Sequence, residues 1–346
     1  MKANSFTEIL IVGGGPSGAH LGKLLAAAGK DVLLLADEDK SKLFYETLSS
    51  RAILGHTVPA VRGCAGSISF WEGNSQAERP GFCSPWGNDF FVARPGFEQE
   101  LRKQATTAGA REQAGRVISV LGRDRHWEVQ AASGEVYRGS ILIDAAGRNS
   151  GIGRYVGTAR HHRDRLIAVP FHLVRSEWDP KYLHHVTIAP DENGWWYIGP
   201  APENQVFAVY YTDADLLRGM KLSDLKVTWQ NLRGRVGLLG LELAASERAL
   251  PATTAIVSKF TEDRWYAIGD AVATFDPLSS FGLTFAIQSA ELVAGCILGT
   301  ATAATYKARV SAWVLEYVVA RREAYRRQTR WSTNPFWQRR ASRQAA

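Results

Sequence analysis

The stretch "EILIVGGGPSGAHLGKLLAAAGKDVLLLA", residues 8 to 36, constrains the fold of this chain more than any other. An apolar run of strand length leads into three glycines, a segment of helical periodicity and a second apolar run. Gly29 stands where the helix ends and a left-handed residue is wanted. The order is therefore strand, glycine-rich turn, helix, strand.

Within the turn, Gly13, Gly15 and Gly18 form G-x-G-x-x-G, with Ser17 in the same segment. Gly13 permits the tight turn, Gly15 lets the backbone approach a pyrophosphate, and Gly18 lets helix and strand pack closely. The helix N-terminus adds unpaired N–H donors and about half a unit of positive charge. A dinucleotide site follows from this context. The position expected to carry an acid for the ribose holds Ala36, and Asp37 and Glu38 come next. Either could reach the ribose after a small loop shift; the alternative is that both are solvated loop charges.

At 346 residues the chain is long for one domain, and 45% hydrophobic content supplies a sizeable core. Cys64, Cys83 and Cys296 lack metal-ligand spacing and read as free thiols. No apolar run reaches the roughly 18 residues of a membrane span, and "MKANSFTE" leaves no room for a signal peptide, so a cytoplasmic protein without a membrane role is expected. The net charge of +7 is partly local, with Arg321, Arg322, Arg326, Arg327, Arg330, Arg339, Arg340 and Arg343 crowding the C-terminal end. No nucleic-acid module accompanies the cluster, and a solvated basic helix is expected.

From Leu166 to Tyr211 the texture changes to short alternating segments, among them "RLIAVPFHLV", "HHVTIAP", "GWWYIGP" and "QVFAVYY", separated by turn residues. They predict an antiparallel sheet. "RWYAIGDA" then returns to a buried strand, and the segments from Gly282 to Leu298 and from Ala304 to Arg330 read as helical. The expected fold is α/β, a Rossmann-like dinucleotide domain with an inserted antiparallel β-sheet substrate domain and C-terminal helices. The boundaries expected are 1–65, 90–160 and 255–303 for the nucleotide domain, 66–89 and 161–254 for the substrate domain, and 304–346 for the helical segment.

"RWYAIGDAVATFDPLSSFGLTFAIQSA" (264–290) resembles the Gly-Asp segment of FAD-dependent monooxygenases and flavin-dependent halogenases. The resemblance implies FAD in a glutathione-reductase-like domain. It places Gly269 and Asp270 against the ribityl chain, and the backbone from Ser280 through Gly282 to Leu283 against the isoalloxazine carbonyl. "VARPGFEQELRKQATTAGA" (92–110) also fits, with Arg94 as an FAD contact or, alternatively, in a structural salt bridge. "ILIDAAGRNS" (141–150) resembles the family's third nucleotide-side segment but lacks the Asp-Gly pair of NAD(P)H-using hydroxylases. A separate flavin reductase is the donor this implies. The resemblance runs from Glu8 to about Arg340.

"GWWYIGP" looks like a shifted Trp-x-Trp-x-Ile-Pro box of halogenases. Those enzymes need a lysine from a segment comparable to "SISFW", and this chain has none between Lys42 and Lys103. Ser279 stands where tryptophan halogenases place a glutamate, and Phe281 is bulky where they have a small residue. A serine cannot replace the lysine's cation, so halogenation is not expected. "DPLSSFGL", "WWY" followed by "YTDADLL", and "PFWQRR" look more like flavoproteins of tryptophylquinone maturation, which oxygenate a peptidyl tryptophan. The resemblance implies hydroxylation of an aromatic, indole- or tryptophan-like substrate, free or peptide-bound, through a flavin hydroperoxide. His56 and Arg62 ("GHTVPAVRG") are candidates for the substrate-facing loop, with His56 as a base or as a structural histidine. Trp195 and Tyr197 share one strand face and Trp196 takes the other, so at least one ring is expected at the flavin cavity. Oxidase, geranylgeranyl-type reductase and non-catalytic escort readings stay open, the last distinguished by a colourless protein.

Overall fold

The computed structural model of the chain describes residues 6–37, 45–50, 62–73, 75–83, 88–175, 184–201, 206–238, 240–246 and 248–341. Its first sheet is built on five parallel strands in the order Trp265–Ala267, Val136–Asp144, Phe6–Val12, Val32–Ala36 and Arg111–Ala114. Helix Pro16–Ala27 connects the first two strands in sequence, and helix Arg94–Thr107 precedes Arg111–Ala114. A parallel sheet needs such crossovers, and its central strands are apolar where both faces are covered: Ile9, Leu10, Ile11, Leu34, Leu142 and Ile143 are fully buried, whereas the edge strand Arg111–Ala114 is exposed. Register pairs Val12 with Leu35 and with Asp144, and Asp144 with Ala267, so the carboxyl ends converge on one edge. Ligands of open α/β sheets bind outside that edge.

The second sheet runs Leu241–Ser246, Leu166–Arg175, Val206–Asp213, Gly194–Pro200, His185–Asp191, Gly66–Ser69 and Ala77–Pro80. It is antiparallel as expected over 166–211, but Gly66–Ser69 joins His185–Asp191 in parallel. Its strands come from 66–80 and from 166–251, and on that segregation we propose the domain division given above. Asp89–Ala93 pairs with Tyr45–Leu48 on one side and Arg62–Cys64 on the other to form a separate small sheet.

Both faces of the second sheet are covered, which explains why its strands are aromatic instead of alternating with polar residues. On one face Trp196, Tyr210, Phe171 and Ile198 pack against Leu225, Trp229 and Leu232 of helix Leu222–Val236. On the other, Trp195, Tyr197 and Tyr211 pack with Trp71, Tyr325, Phe336 and Trp337. Buried indoles and phenols need partners. Asp191 accepts from Trp196 Nε1 at 3.0 Å and Tyr210 Oη at 2.9 Å, while Tyr325 Oη accepts from Trp195 Nε1 at 3.1 Å.

The C-terminal arginines correct the expectation of a solvated basic helix. The segment forms helices Ala303–Arg326 and Pro335–Ala341, and several of its cations turn inward. Arg321 sits between Asp164 at 2.9 Å and Asp276 at 3.0 Å. Arg340 is buried against Asp213 at 2.5 Å and lies 3.7 Å over the Phe336 ring. Arg330 donates to the Phe70 and Trp71 carbonyls. Arg343 lies outside the described residues. Amphipathic periodicity does not reveal these acids, because Asp164, Asp213 and Asp276 come from distant segments. No helix among the described residues is long and apolar enough to cross a membrane.

Removing one partner of a buried ion pair leaves an uncompensated charge, at a cost of about 3–5 kcal/mol. Asp276 and Asp164 side chains are 0% and 9% exposed, so Arg321→Ala is expected to lose about that much stability. Urea unfolding followed by tryptophan fluorescence measures it; a loss below about 1 kcal/mol would mean that the pair behaves as a surface bridge.

Candidate functional site

A cavity of about 1010 Å³ opens at the carboxyl edge of the first sheet and extends to the second. Its floor is the turn Gly13–Ser17. Gly13 has φ +115°, and a Cβ there would lie 2.1 Å from the Ala145 carbonyl oxygen, so only glycine fits. A Cβ on Gly18 would lie 1.9 Å from the Gly13 carbonyl oxygen. At Gly15 nothing lies within 4 Å of the equivalent point. Gly13 and Gly18 therefore serve packing, whereas Gly15 borders open cavity. Gly15 is also the N-cap of helix Pro16–Ala27 and supplies no side-chain cap, which leaves the first-turn donors available to an anion.

Ala36 and Asp37 line one end of the cavity, together with Arg116 and Val117. The middle is crossed by Asp270, in the short turn Gly269–Ala271. Gly269 donates its N–H to Ser289 Oγ at 3.0 Å, and Arg160 donates to the carbonyls of Asp270 and Ala271 at 2.9 and 2.8 Å. These bonds fix the turn and leave the Asp270 carboxylate free to face the cavity, where Arg148 lies 3.5 Å away.

The far end is formed by Ser280, Phe281, Gly282 and Leu283, which open helix Gly282–Leu298, again without a side-chain cap. Ser280 adopts φ +47°, a left-handed conformation that a non-glycine residue holds at a cost of about 1–3 kcal/mol. Asp276 and Ser279 support the turn: Asp276 accepts from the Leu278 N–H, and Ser279 Oγ donates to the Asp276 carbonyl at 2.8 Å.

Of the sequence candidates, Gly13, Gly15, Ser17, Asp37, Arg94, Asp270, Ser280, Gly282, Leu283 and Tyr197 line this one space. Gly18 and Gly269 pack directly behind it. Trp195 is corrected: it is fully buried, stacks on Tyr211 at 4.2 Å and does not reach the cavity. His56 lies outside the described residues, and so does the Arg62 side chain, whose backbone starts strand Arg62–Cys64. Arg94 is paired with Glu46 at 3.4 Å and Glu98 at 2.6 Å, so any ligand contact is shared with two carboxylates.

Sequence reading missed Glu46, Thr47, Arg148, Arg160 and Tyr211. Arg148 lies in the "DAAGRNS" segment and was within reach of inspection; the others depend on long-range packing. Asp144, at the start of that segment, accepts from the Ala146 N–H and Ser150 Oγ, and burial pushes its carboxyl up to about 6. It pins the turn and takes no part in lining the cavity.

An FAD binding domain model matches residues 6–52. The chain is 26% identical to a protein assigned as the FAD-dependent oxidoreductase LodB of Marinomonas mediterranea, over 96% of each chain. It is 28% identical to the menaquinone reductase of Mycobacterium tuberculosis, covering 85% of this chain and 77% of that one. In structure it is similar to the myxobacterial chondrochloren halogenase CndH, with TM-score 0.83, 17% identity and coverage of 97% and 86%. It is also similar to the peptidyl tryptophan dihydroxylase QhpG, essential for tryptophylquinone cofactor biogenesis, with TM-score 0.75, 20% identity and coverage of 98% and 79%. At these identities the two structures speak to the fold. The chain carries an FAD binding domain, is an FAD-dependent oxidoreductase and has the fold of flavin-dependent halogenases, and the open Gly15, the uncapped helix ends and the extended cavity fit FAD.

Two outcomes follow. Gly15→Val is expected to abolish flavin binding while leaving the fold intact, because its side chain enters the cavity and not the core; flavin content and circular dichroism check both. Ala36→Glu supplies the missing ribose acceptor, and a charged hydrogen bond of about 1.5–3 kcal/mol is expected to tighten FAD by about tenfold or more. Flavin fluorescence titration measures this; unchanged affinity would mean that Asp37 or Glu38 already fills the role, or that the loop places the new side chain away from the ribose.

Proposed function

We propose that the protein is a monooxygenase that hydroxylates an aromatic substrate of the indole or tryptophan type, free or within a peptide. The observation that carries this reading is the continuity of the cavity, which joins the glycine turn to Tyr197 and Tyr211 on the second sheet. Bound FAD, once reduced, supplies the electrons and activates dioxygen.

The chain's residues hold, orient and shield. Gly13–Ser17 and the donors of helix Pro16–Ala27 take the pyrophosphate, Asp37 the ribose and Asp270 the ribityl hydroxyls. The N-terminus of helix Gly282–Leu298 stabilises negative charge at the ring end. Tyr197 and Tyr211 wall the substrate side. Burial pushes both phenols well above their usual range, so they stay protonated at neutral pH, excluding water and donating hydrogen bonds without acting as bases.

Against halide transfer stand the absence of lysine between Lys42 and Lys103, the engagement of Ser279 in its own turn, and Phe281, which lines the cavity and packs edge-on to Phe275 at 5.1 Å. Asp144 and the following "AAG" provide no Asp-Gly pair, which supports a separate flavin reductase as electron donor. The similarity of fold to a peptidyl tryptophan dihydroxylase supports the substrate class.

With chemically reduced FAD, heavy dioxygen, bromide and a panel of indoles and tryptophan peptides, mass spectrometry is expected to find product carrying one or more labelled oxygens and no bromine. A brominated product that disappears without bromide would falsify the reading. An unlabelled product two hydrogens lighter would identify an oxidase.

A further inference from the structure

We propose that Glu46 is a proton-accepting contact for the cofactor: crowded at the cavity with two further carboxylates, it takes up a proton when FAD binds and donates a hydrogen bond there. This inference rests on FAD binding and is independent of the hydroxylation reading.

The geometry is an imbalance of charge. Glu46 stands on strand Tyr45–Leu48 and lines the cavity, its side chain 32% exposed. Two guanidiniums and two further carboxylates face it. From helix Arg94–Thr107 come Arg94, at 3.4 Å, and Glu98. From the loop after strand Val136–Asp144 comes Arg148, and from the turn Gly269–Ala271 comes Asp270. Both cations are already engaged. Arg94 is closer to Glu98, at 2.6 Å and one helical turn away, than to Glu46. Arg148 pairs with Asp270 and also donates to the Pro251 carbonyl. From the second sheet, Tyr197 and Tyr211 face the same region as neutral phenols that cannot compensate a carboxylate. Glu46 is therefore the third carboxyl in a group with two cations.

Burial, reinforced by Asp270 and Glu98 and only partly offset by Arg94 and Arg148, raises the Glu46 carboxyl above its ordinary value. An incoming pyrophosphate adds negative charge to the same cavity and displaces water, and both effects favour the protonated acid further. At a pH above the free protein's Glu46 value, binding must then draw a proton from solvent onto Glu46 Oε. A protonated carboxyl is a donor as well as an acceptor, which suits a position opposite the oxygens and nitrogens of a cofactor. The sign is specific: a Glu46 pKa higher in the complex than in the free protein makes FAD affinity fall as pH rises between the two values, whereas a carboxylate ionised in both states would leave it flat over the same range.

The test is calorimetry of FAD binding to the full chain freed of flavin, in buffers of different ionisation enthalpy. The wild type is expected to take up a proton fraction that grows with pH, and its affinity to fall by up to about tenfold per pH unit above the Glu46 value. Glu46→Gln is expected to bind FAD with that uptake and slope removed. Glu98→Gln releases Arg94 towards Glu46, which should ionise it more readily and shift the onset of uptake to lower pH. Uptake and slope unchanged in Glu46→Gln would overturn the proposal. If Glu46→Gln does not fold, uptake with an unchanged onset in Glu98→Gln would overturn it equally.

Discussion

A single buried cation, Arg321, holds together the parts on which the cavity depends. It reaches Asp276, at the start of the turn that ends in Ser280, and Asp164, just before the first long strand of the second sheet. Asp276 also accepts from Tyr325 Oη at 2.9 Å, which in turn accepts from Trp195, and its own N–H donates to Tyr317 Oη at 2.7 Å. Tyr317 is 2.8 Å from Thr254 Oγ1, and Asp164 accepts from the N–H groups of Leu166 and Thr254. Helix Ala303–Arg326, the second sheet and the turn before helix Gly282–Leu298 thus share one satisfied polar network. Such a network is worth less for net stability than for uniqueness; here it fixes where the second sheet stands relative to the nucleotide site.

That arrangement explains the strained serine and the aromatic triplet together. Asp276 sets the start of the Pro277–Ser279 turn, Ser279 closes it, and Ser280 absorbs the backbone reversal before helix Gly282–Leu298 begins. Across the cavity, the strand period separates Trp196 from its neighbours and places it against Asp191 and Trp229. Trp195 and Tyr197 share the other face, but the Tyr325 and Trp71 rings cover Trp195, leaving Tyr197 to reach the opening.

What the sequence made legible was local. The glycine turn requires particular residues at fixed spacing, so Gly13, Gly15 and Gly18 could be assigned roles before any coordinates. The Gly269–Asp270 turn and the start of helix Gly282–Leu298 were legible through the resemblance of 264–290 to flavin monooxygenases and halogenases. The basic C-terminus was misread because its acidic partners lie far away in sequence: Asp164 precedes Arg321 by 157 positions. Glu46 carried no motif; its chemistry comes from Arg94, Glu98, Arg148 and Asp270, which only the fold assembles. Trp195 and Tyr197 were indistinguishable by strand period, and what packs above them decided between wall and core.

The measurement that most directly tests the account is a structure of the protein with FAD bound. The account predicts the pyrophosphate against Gly13–Ser17, the ribityl chain beside Asp270, and the ring between the start of helix Gly282–Leu298 and Tyr197. FAD whose ring turns away from Tyr197, or lies outside this cavity, would contradict it.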